Sequence, residues 1–135
     1  MSGTGTKTGI SQIGVVAVHV TNQDATADWF VSKLGFVKTM DVPMGPDSRW
    51  VQVSPPGAQT QLSLMDVKTF PPHVPSLAGK MVNPCIFEVE NFEASCRELK
   101  ARGVNFTIAP EKQPWGWWAE IEDPDGNSFG LHGQA

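Results

Sequence analysis

Pro46-Asp47-Ser48-Arg49-Trp50-Val51-Gln52-Val53-Ser54-Pro55-Pro56 is answered 68 residues later by Pro114-Trp115-Gly116-Trp117-Trp118-Ala119-Glu120-Ile121-Glu122-Asp123-Pro124. Trp50 returns as Trp118, Val53 as Ile121, Pro46 as Pro114 and Pro56 as Pro124. Further out, Gly35 returns as Gly103. Each of these residues has a definite backbone or packing job, so the agreement marks an internal repeat. One period is about half of the 135-residue chain, and two supersecondary units therefore combine into a single domain.

Working outward from the repeated stretch, each unit reads as strand, helix and three strands. Ile13 to Val20 is a β-branched run, followed by the helix-start cluster Thr21-Asn22-Gln23-Asp24. Ala27, Phe30, Val31 and Leu34 fall at i, i+3, i+4 and i+7, one face of an amphipathic helix. Gly35 follows, where a left-handed C-cap calls for glycine. Strands are expected near Phe36–Val42, Arg49–Ser54 and Gln61–Met65, divided by Gly/Pro turns. The second unit has a strand at Val82–Val89, a cap at Asn91, and a helix face of Phe92, Cys96 and Leu99 ended by Gly103. Its other strands lie near Asn105–Ala109, Trp117–Glu122 and Ser128–His132. Glu98 and Arg102, at i,i+4, support the exposed side of the second helix. The expected organisation is a disordered tail over 1–11, a first βαβββ module over 12–66, a proline-bearing linker over 67–80 and a second module over 81–135.

Composition narrows the function classes. Hydrophobic content of 40% with 18% charged residues describes an ordinary globular protein. A formal net charge of −4 and the lack of any Lys/Arg cluster argue against a nucleic-acid partner. The polar opening stretch lacks the apolar core of a signal peptide, and no apolar run reaches a membrane span, so a cytoplasmic protein without a membrane partner is expected. Cys85 and Cys96 read as two free thiols rather than a disulfide.

A βαβββ unit repeated twice, with Asp123-Pro124-Asp125-Gly126 before the last strand, resembles the vicinal oxygen chelate superfamily of glyoxalase I, extradiol dioxygenases and the fosfomycin and bleomycin resistance proteins. Asp28-Trp29-Phe30 leading to Leu34-Gly35-Phe36, and Trp115-Gly116 leading to Glu122-Asp123-Pro124-Asp125-Gly126-Asn127, carry the resemblance, which covers about residues 12 to 133. It implies an α+β fold in which the two modules form one curved-sheet cup with the helices outside. It also implies four metal-ligand positions, which fall here on Val15, Ser63, Pro84 and Gly130. Val, Pro and Gly offer no ligating side chain and a serine hydroxyl is a poor one, so neither a metal nor a cofactor is expected. The family's cups are often completed by a second chain, and a homodimer is the expected assembly.

Strand alternation shows what lines the cup instead. Val15, Ala17 and His19 share one face. So do Trp50 with Gln52, and Gln61, Ser63 and Met65. In the second module the inward set is Pro84, Ile86 and Glu88, then Trp118 and Glu120, then Ser128, Gly130 and His132. The expected ligand-binding residues are Trp50, Trp118, His19, Gln52, Gln61, Met65, Glu88, Trp115, Glu120 and His132. An apolar wall with a few aimed polar groups describes a small-molecule pocket. Trp29 reads as structural or at an interface, His73 as an exposed linker residue, and the Asp-Pro-Asp-Gly segment as a β-turn rather than a cation loop.

Two function classes follow. One is a metal-free protein of the bleomycin-resistance type that sequesters a flat, aromatic or cationic ligand. The other is a glyoxalase- or dioxygenase-like enzyme working through side chains or a relocated metal, with His19, Glu88 and Glu120 as the catalytic candidates and His132 beside them. No nucleophile motif or phosphate loop is present.

Overall fold

The computed structural model describes residues 8–70 and 82–134. His73 and most of the expected linker lie outside the described residues, as do residues 1–7 of the expected tail. The elements run β1 (Val15–Val20), α1 (Gln23–Leu34), β2 (Val37–Gly45), β3 (Ser48–Ser54) and β4 (Gln61–Asp66). The second half repeats them as β5 (Val82–Glu88), α2 (Phe92–Ala101), β6 (Asn105–Gln113), β7 (Gly116–Glu122) and β8 (Ser128–Gly133).

Each module closes one four-stranded mixed sheet, β1-β4-β3-β2 in the first and β5-β8-β7-β6 in the second. β1 runs parallel to β4, and β5 parallel to β8, while the remaining pairs are antiparallel. The helix supplies the crossover that a parallel pair requires. This α+β arrangement of paired βαβββ modules is the expected one. The two ladders remain separate sheets, and they approach each other where β1 lies beside β5.

Asn22 begins α1 as read from the sequence: its side-chain oxygen accepts from the Ala25 N–H at 3.0 Å. Gly35 closes the helix at φ 75°, a conformation glycine adopts without steric cost. Thr26, Ala27 and Phe30 are buried and Leu34 is half-buried, but Val31 is 42% exposed. The expected face was one residue too wide. Val31 sits about 100° around the helix from Phe30 and clears the sheet. At α2, Asn91 occupies the N-cap position in the left-handed region (φ 49°) and its side chain makes no capping bond. Ser95 instead donates to the Glu90 carbonyl at 2.6 Å. Gly103, at φ 87°, follows the last turn, and Arg102 donates to Glu98 at 2.9 Å.

One apolar core joins the modules. Phe30 of α1 meets Phe129 of β8 edge-on at 5.7 Å, and Phe36 meets Phe87 of β5 at 5.4 Å. Val18, Val51, Val53, Leu64, Ile121, Phe129 and Leu131 are essentially buried on the helix-facing sides of the two sheets. Burying each such side chain contributes roughly 1.5–3 kcal/mol. Trp29 packs against this core, in keeping with its structural reading, and Trp117 stacks on Phe92 of α2 at 5.7 Å.

A polar clasp reinforces the join. Asp123 accepts from the Asp125 and Asn127 N–H groups and from Asn127 Nδ2, all at 2.9 Å. The Gly126 N–H returns to the Asp123 carbonyl, closing the expected β-turn. Asn127 Nδ2 also donates to the His19 carbonyl, and Asp125 accepts from the Thr21 N–H and Oγ1. Burial pushes the Asp123 carboxyl above its ordinary value, against the pull of its hydrogen bonds to Asn127. A loop with the look of a cation site is thus consumed by its own backbone and by the first module.

Candidate functional site

The sheet faces turned away from the helices hold the expected site residues. The core takes Val51, Val53, Leu62, Leu64, Ala119 and Ile121, so alternation sends Trp50, Gln52, Ser63, Trp118 and Glu120 to the opposite side. Register sets them in rows. His19 is paired with Met65 and Ala17 with Ser63 across β1 and β4, and Gln52 with Ser63 across β3 and β4. In the second sheet Glu88 is paired with His132 across β5 and β8, Trp118 with His132, and Glu120 with Gly130. Met40 and Val42 join the first face opposite Gln52 and Trp50.

The second face carries the denser constellation. Glu88 holds His132 Nδ1 at 2.8 Å. The Trp115 ring stacks on the His132 imidazole, with centroids 5.9 Å apart and planes 21° from parallel. Trp115 also meets Trp118 edge-on at 6.2 Å. Trp115 is 58% exposed, and its indole is presented as an accessible aromatic surface. The carboxylate, imidazole and two indoles form a continuous polar-to-aromatic strip.

The Trp118 indole also bears on the family's metal positions. A Cβ at position 130 would stand 2.8 Å from its Cζ2 and closer still to Cη2, so the ring fills the space a side chain at Gly130 would need. Among the described residues, no group of three or more His, Cys, Asp or Glu side chains is close enough together to hold a metal.

The first face is more self-contained. Trp50 Nε1 donates to Gln52 Oε1 at 2.7 Å, and its ring meets Phe70 edge-on at 6.5 Å. Gln61 accepts from Thr39 and donates to the Ala58 carbonyl, which ties it to its own turn. Ser63 Oγ donates to Met65 Sδ at 3.1 Å. His19 stands half-buried beside Met65. The four residues grouped in the enzyme reading are therefore divided. Glu88 and His132 meet, Glu120 lies beside Asn83, and His19 belongs to the other sheet.

Asn83 was missed by alternation. Between the pairs Val82–Ser128 and Ile86–Gly130, three residues of β5 stand opposite one of β8, so Asn83, Pro84 and Cys85 form a bulge. Asn83 takes φ 51° there, and its Nδ2 reaches Glu120 Oε2 at 3.4 Å, on the open face. The sequence signal was the Asn83-Pro84 dipeptide, a chain-breaking pair inside an otherwise apolar strand. Strict alternation accordingly does not run through Pro84.

Two cavities border the strip at its Glu88 end, and Glu88 lines both. One of about 670 Å³ sits at the start of α2, between Asn91, Arg97 and Trp117. The other, about 1160 Å³, runs between the end of α1, the Pro55-Pro56 turn and α2, over Cys85 and Phe87. The thiols of Cys85 and Cys96 are free, and burial pushes Cys85 up to about 11.

Comparison with known proteins agrees with the architecture. The family model described as Glyoxalase/Bleomycin resistance protein/Dioxygenase superfamily matches residues 12–131. YetH of Bacillus subtilis (strain 168), an uncharacterized protein, is 34% identical over 120 residues, covering 89% of this chain and 96% of its own. The crystal structure of TnmS3, an antibiotic binding protein from Streptomyces sp. CB03234, superimposes with a TM-score of 0.78 at 35% identity, covering 93% of this chain and 98% of that one. A superfamily member from Sphaerobacter thermophilus DSM 20745 gives a TM-score of 0.81 at 31% identity, covering 93% and 99%. No helix among the described residues is long and apolar enough to cross a membrane. With its repeated βαβββ modules and a family match along nearly its whole length, the chain belongs to the glyoxalase/bleomycin resistance protein/dioxygenase superfamily.

Proposed function

We propose that this protein is a metal-free, small-molecule-binding protein of the bleomycin-resistance type, which holds a flat aromatic or cationic ligand against the open sheet faces. The observation that carries the reading is the strip Glu88–His132–Trp115–Trp118, in which a carboxylate, an imidazole and two indoles adjoin one another. Indole faces supply stacking area and a platform for cationic groups. Glu88 and Glu120 favour a ligand of positive charge. Sequestration needs no reacting group, which suits the Val15, Ser63, Pro84 and Gly130 set. The antibiotic-binding character stated for TnmS3 supports the same class.

Trp50, Gln52, Gln61, Met65 and His19 form the opposite wall in this proposal. Val15 and Ile86, 43% and 53% exposed on the open faces, are apolar surface that a second copy of the chain would cover, completing the cup as a homodimer in the cytoplasm. Titration of the full chain with a panel of planar amines, quinones and glycopeptides, followed by tryptophan fluorescence, tests the reading. Saturable quenching is expected for at least one planar cation. An absence of quenching at millimolar concentration, or turnover of any screened compound that is lost in His19→Ala, would overturn it.

A further inference from the structure

The β5 bulge places a polar pair on the second sheet face that the tryptophan strip does not account for. Asn83 is one of two non-glycine residues with positive φ among the described residues, and its side chain meets Glu120 of β7. Backbone strain of this kind persists where the surrounding structure enforces it, and Asn bears the left-handed region better than most residues. Pro84, which lacks an N–H, fits a bulge where the ladder donor is absent anyway.

The amide orientation is fixed by its neighbour. A carboxylate only accepts, so Asn83 must direct Nδ2 at Glu120, as found at 3.4 Å. Its Oδ1 is then buried without a hydrogen-bond partner, the only such side-chain atom among the described residues. Buried acceptors are nearly always satisfied, and one that is not needs an explanation. Glu120 retains further acceptor capacity beside it. Gly130, under the Trp118 ring, is the cross-strand neighbour of Glu120 on one side and of Ile86 on the other. An aromatic surface therefore stands next to two oxygen acceptors, one of them charged.

We propose that Asn83 and Glu120 form a donor-reading subsite that takes the N–H groups of a primary ammonium or amine attached to a flat ring lying on Trp118. The inference rests on the binding function proposed above, and it specifies the ligand chemistry. A cation platform alone reads charge and would accept a quaternary ammonium equally well. Oδ1 of Asn83 discriminates because it needs a proton to accept.

The test compares 2-naphthylmethylamine with its N,N,N-trimethyl derivative, which has the same ring and charge but no N–H. Both are titrated into the full chain by tryptophan fluorescence and calorimetry. The wild type is expected to prefer the primary ammonium by roughly tenfold or more. Asn83→Gly, which keeps the positive φ and loses only the side chain, is expected to reduce that preference to below threefold. Asn83→Asp, which restores an acceptor, is expected to recover it. Thermal melts of both variants check that the domain remains folded. Equal affinity for the two compounds in the wild type, or a preference unchanged in Asn83→Gly, would overturn the subsite and leave the sheet-face function standing. Binding of neither compound would overturn the subsite, and the sheet-face function falls with it only if the whole panel is also silent.

Discussion

The indole of Trp118 lies over Gly130, at 2.8 Å between Cζ2 and the place a Cβ would take. The two residues are mutually dependent: the glycine makes room for the ring, and the ring closes the position from which a metal ligand would project. Gly130→Ala should therefore push the indole off its seat. Overpacking of this sort costs about 1–3 kcal/mol, to be read from urea unfolding. Near-ultraviolet circular dichroism should change in parallel, whereas a variant as stable as the wild type with an unaltered spectrum would show that the ring does not need this space.

Trp118→Ala should weaken binding of a planar cation by about 1–3 kcal/mol, the scale of a lost buried aromatic contact, while the domain stays folded. Glu88→Gln should cost less. Its carboxylate is 68% exposed, so its contribution should shrink as salt is added. Calorimetry at low and high ionic strength separates the two effects, and a salt-independent loss in Glu88→Gln would contradict the assignment.

The alternation of Trp50 and Gln52 against Val51 and Val53, and of Trp118 and Glu120 against Ala119 and Ile121, was legible because strand periodicity is strict where one face is buried. The Asn22 cap and the Gly35 stop of α1 were legible for the same local reasons. Asn83 was not, because a bulge is a property of the pairing of β5 with β8 and period-two counting assumes it away. Asn91 takes the N-cap position as read, but its left-handed backbone, which the sequence does not disclose, leaves the side chain without a capping bond. The stacking of Trp115 on His132 joins the turn between β6 and β7 to β8, which no spacing along the chain discloses.

Asn127 is fully buried and its Nδ2 bridges Asp123 of the second module to the His19 carbonyl of the first. Asn127→Ala would leave both acceptors without that donor. A buried donor lost in this way costs about 1–3 kcal/mol, and a loss of that size is expected in chemical denaturation, since Asp123 keeps its two backbone donors. A loss below about 0.5 kcal/mol would mean the clasp adds nothing to the packing of Phe30 on Phe129.

Asp41 carries the clearest pH signature. The hydrogen bond from Arg49, at 2.7 Å, and then that from Lys38 hold its carboxyl down at about 2, from an ordinary 3.8. A carboxylate depressed in the folded state contributes stability that is complete above the unfolded value and lost as pH falls through about 2. Carboxyl NMR titration should place Asp41 there, and Arg49→Met should return it towards the ordinary value. An Asp41 midpoint near 3.8 in the wild type would exclude the Arg49 pair in solution.

Ligand is expected at the open sheet face rather than in the crevice between the helices. Nitrogen-15-labelled protein titrated with 2-naphthylmethylamine decides between them in one experiment. The largest shifts are expected at the indole N–H groups of Trp115 and Trp118 and at the amides of Glu120 and His132, none of which lines the crevice. Shifts confined to Cys85, Leu99 and the end of α1, with those indoles unmoved, would place the ligand in the helical crevice and contradict it.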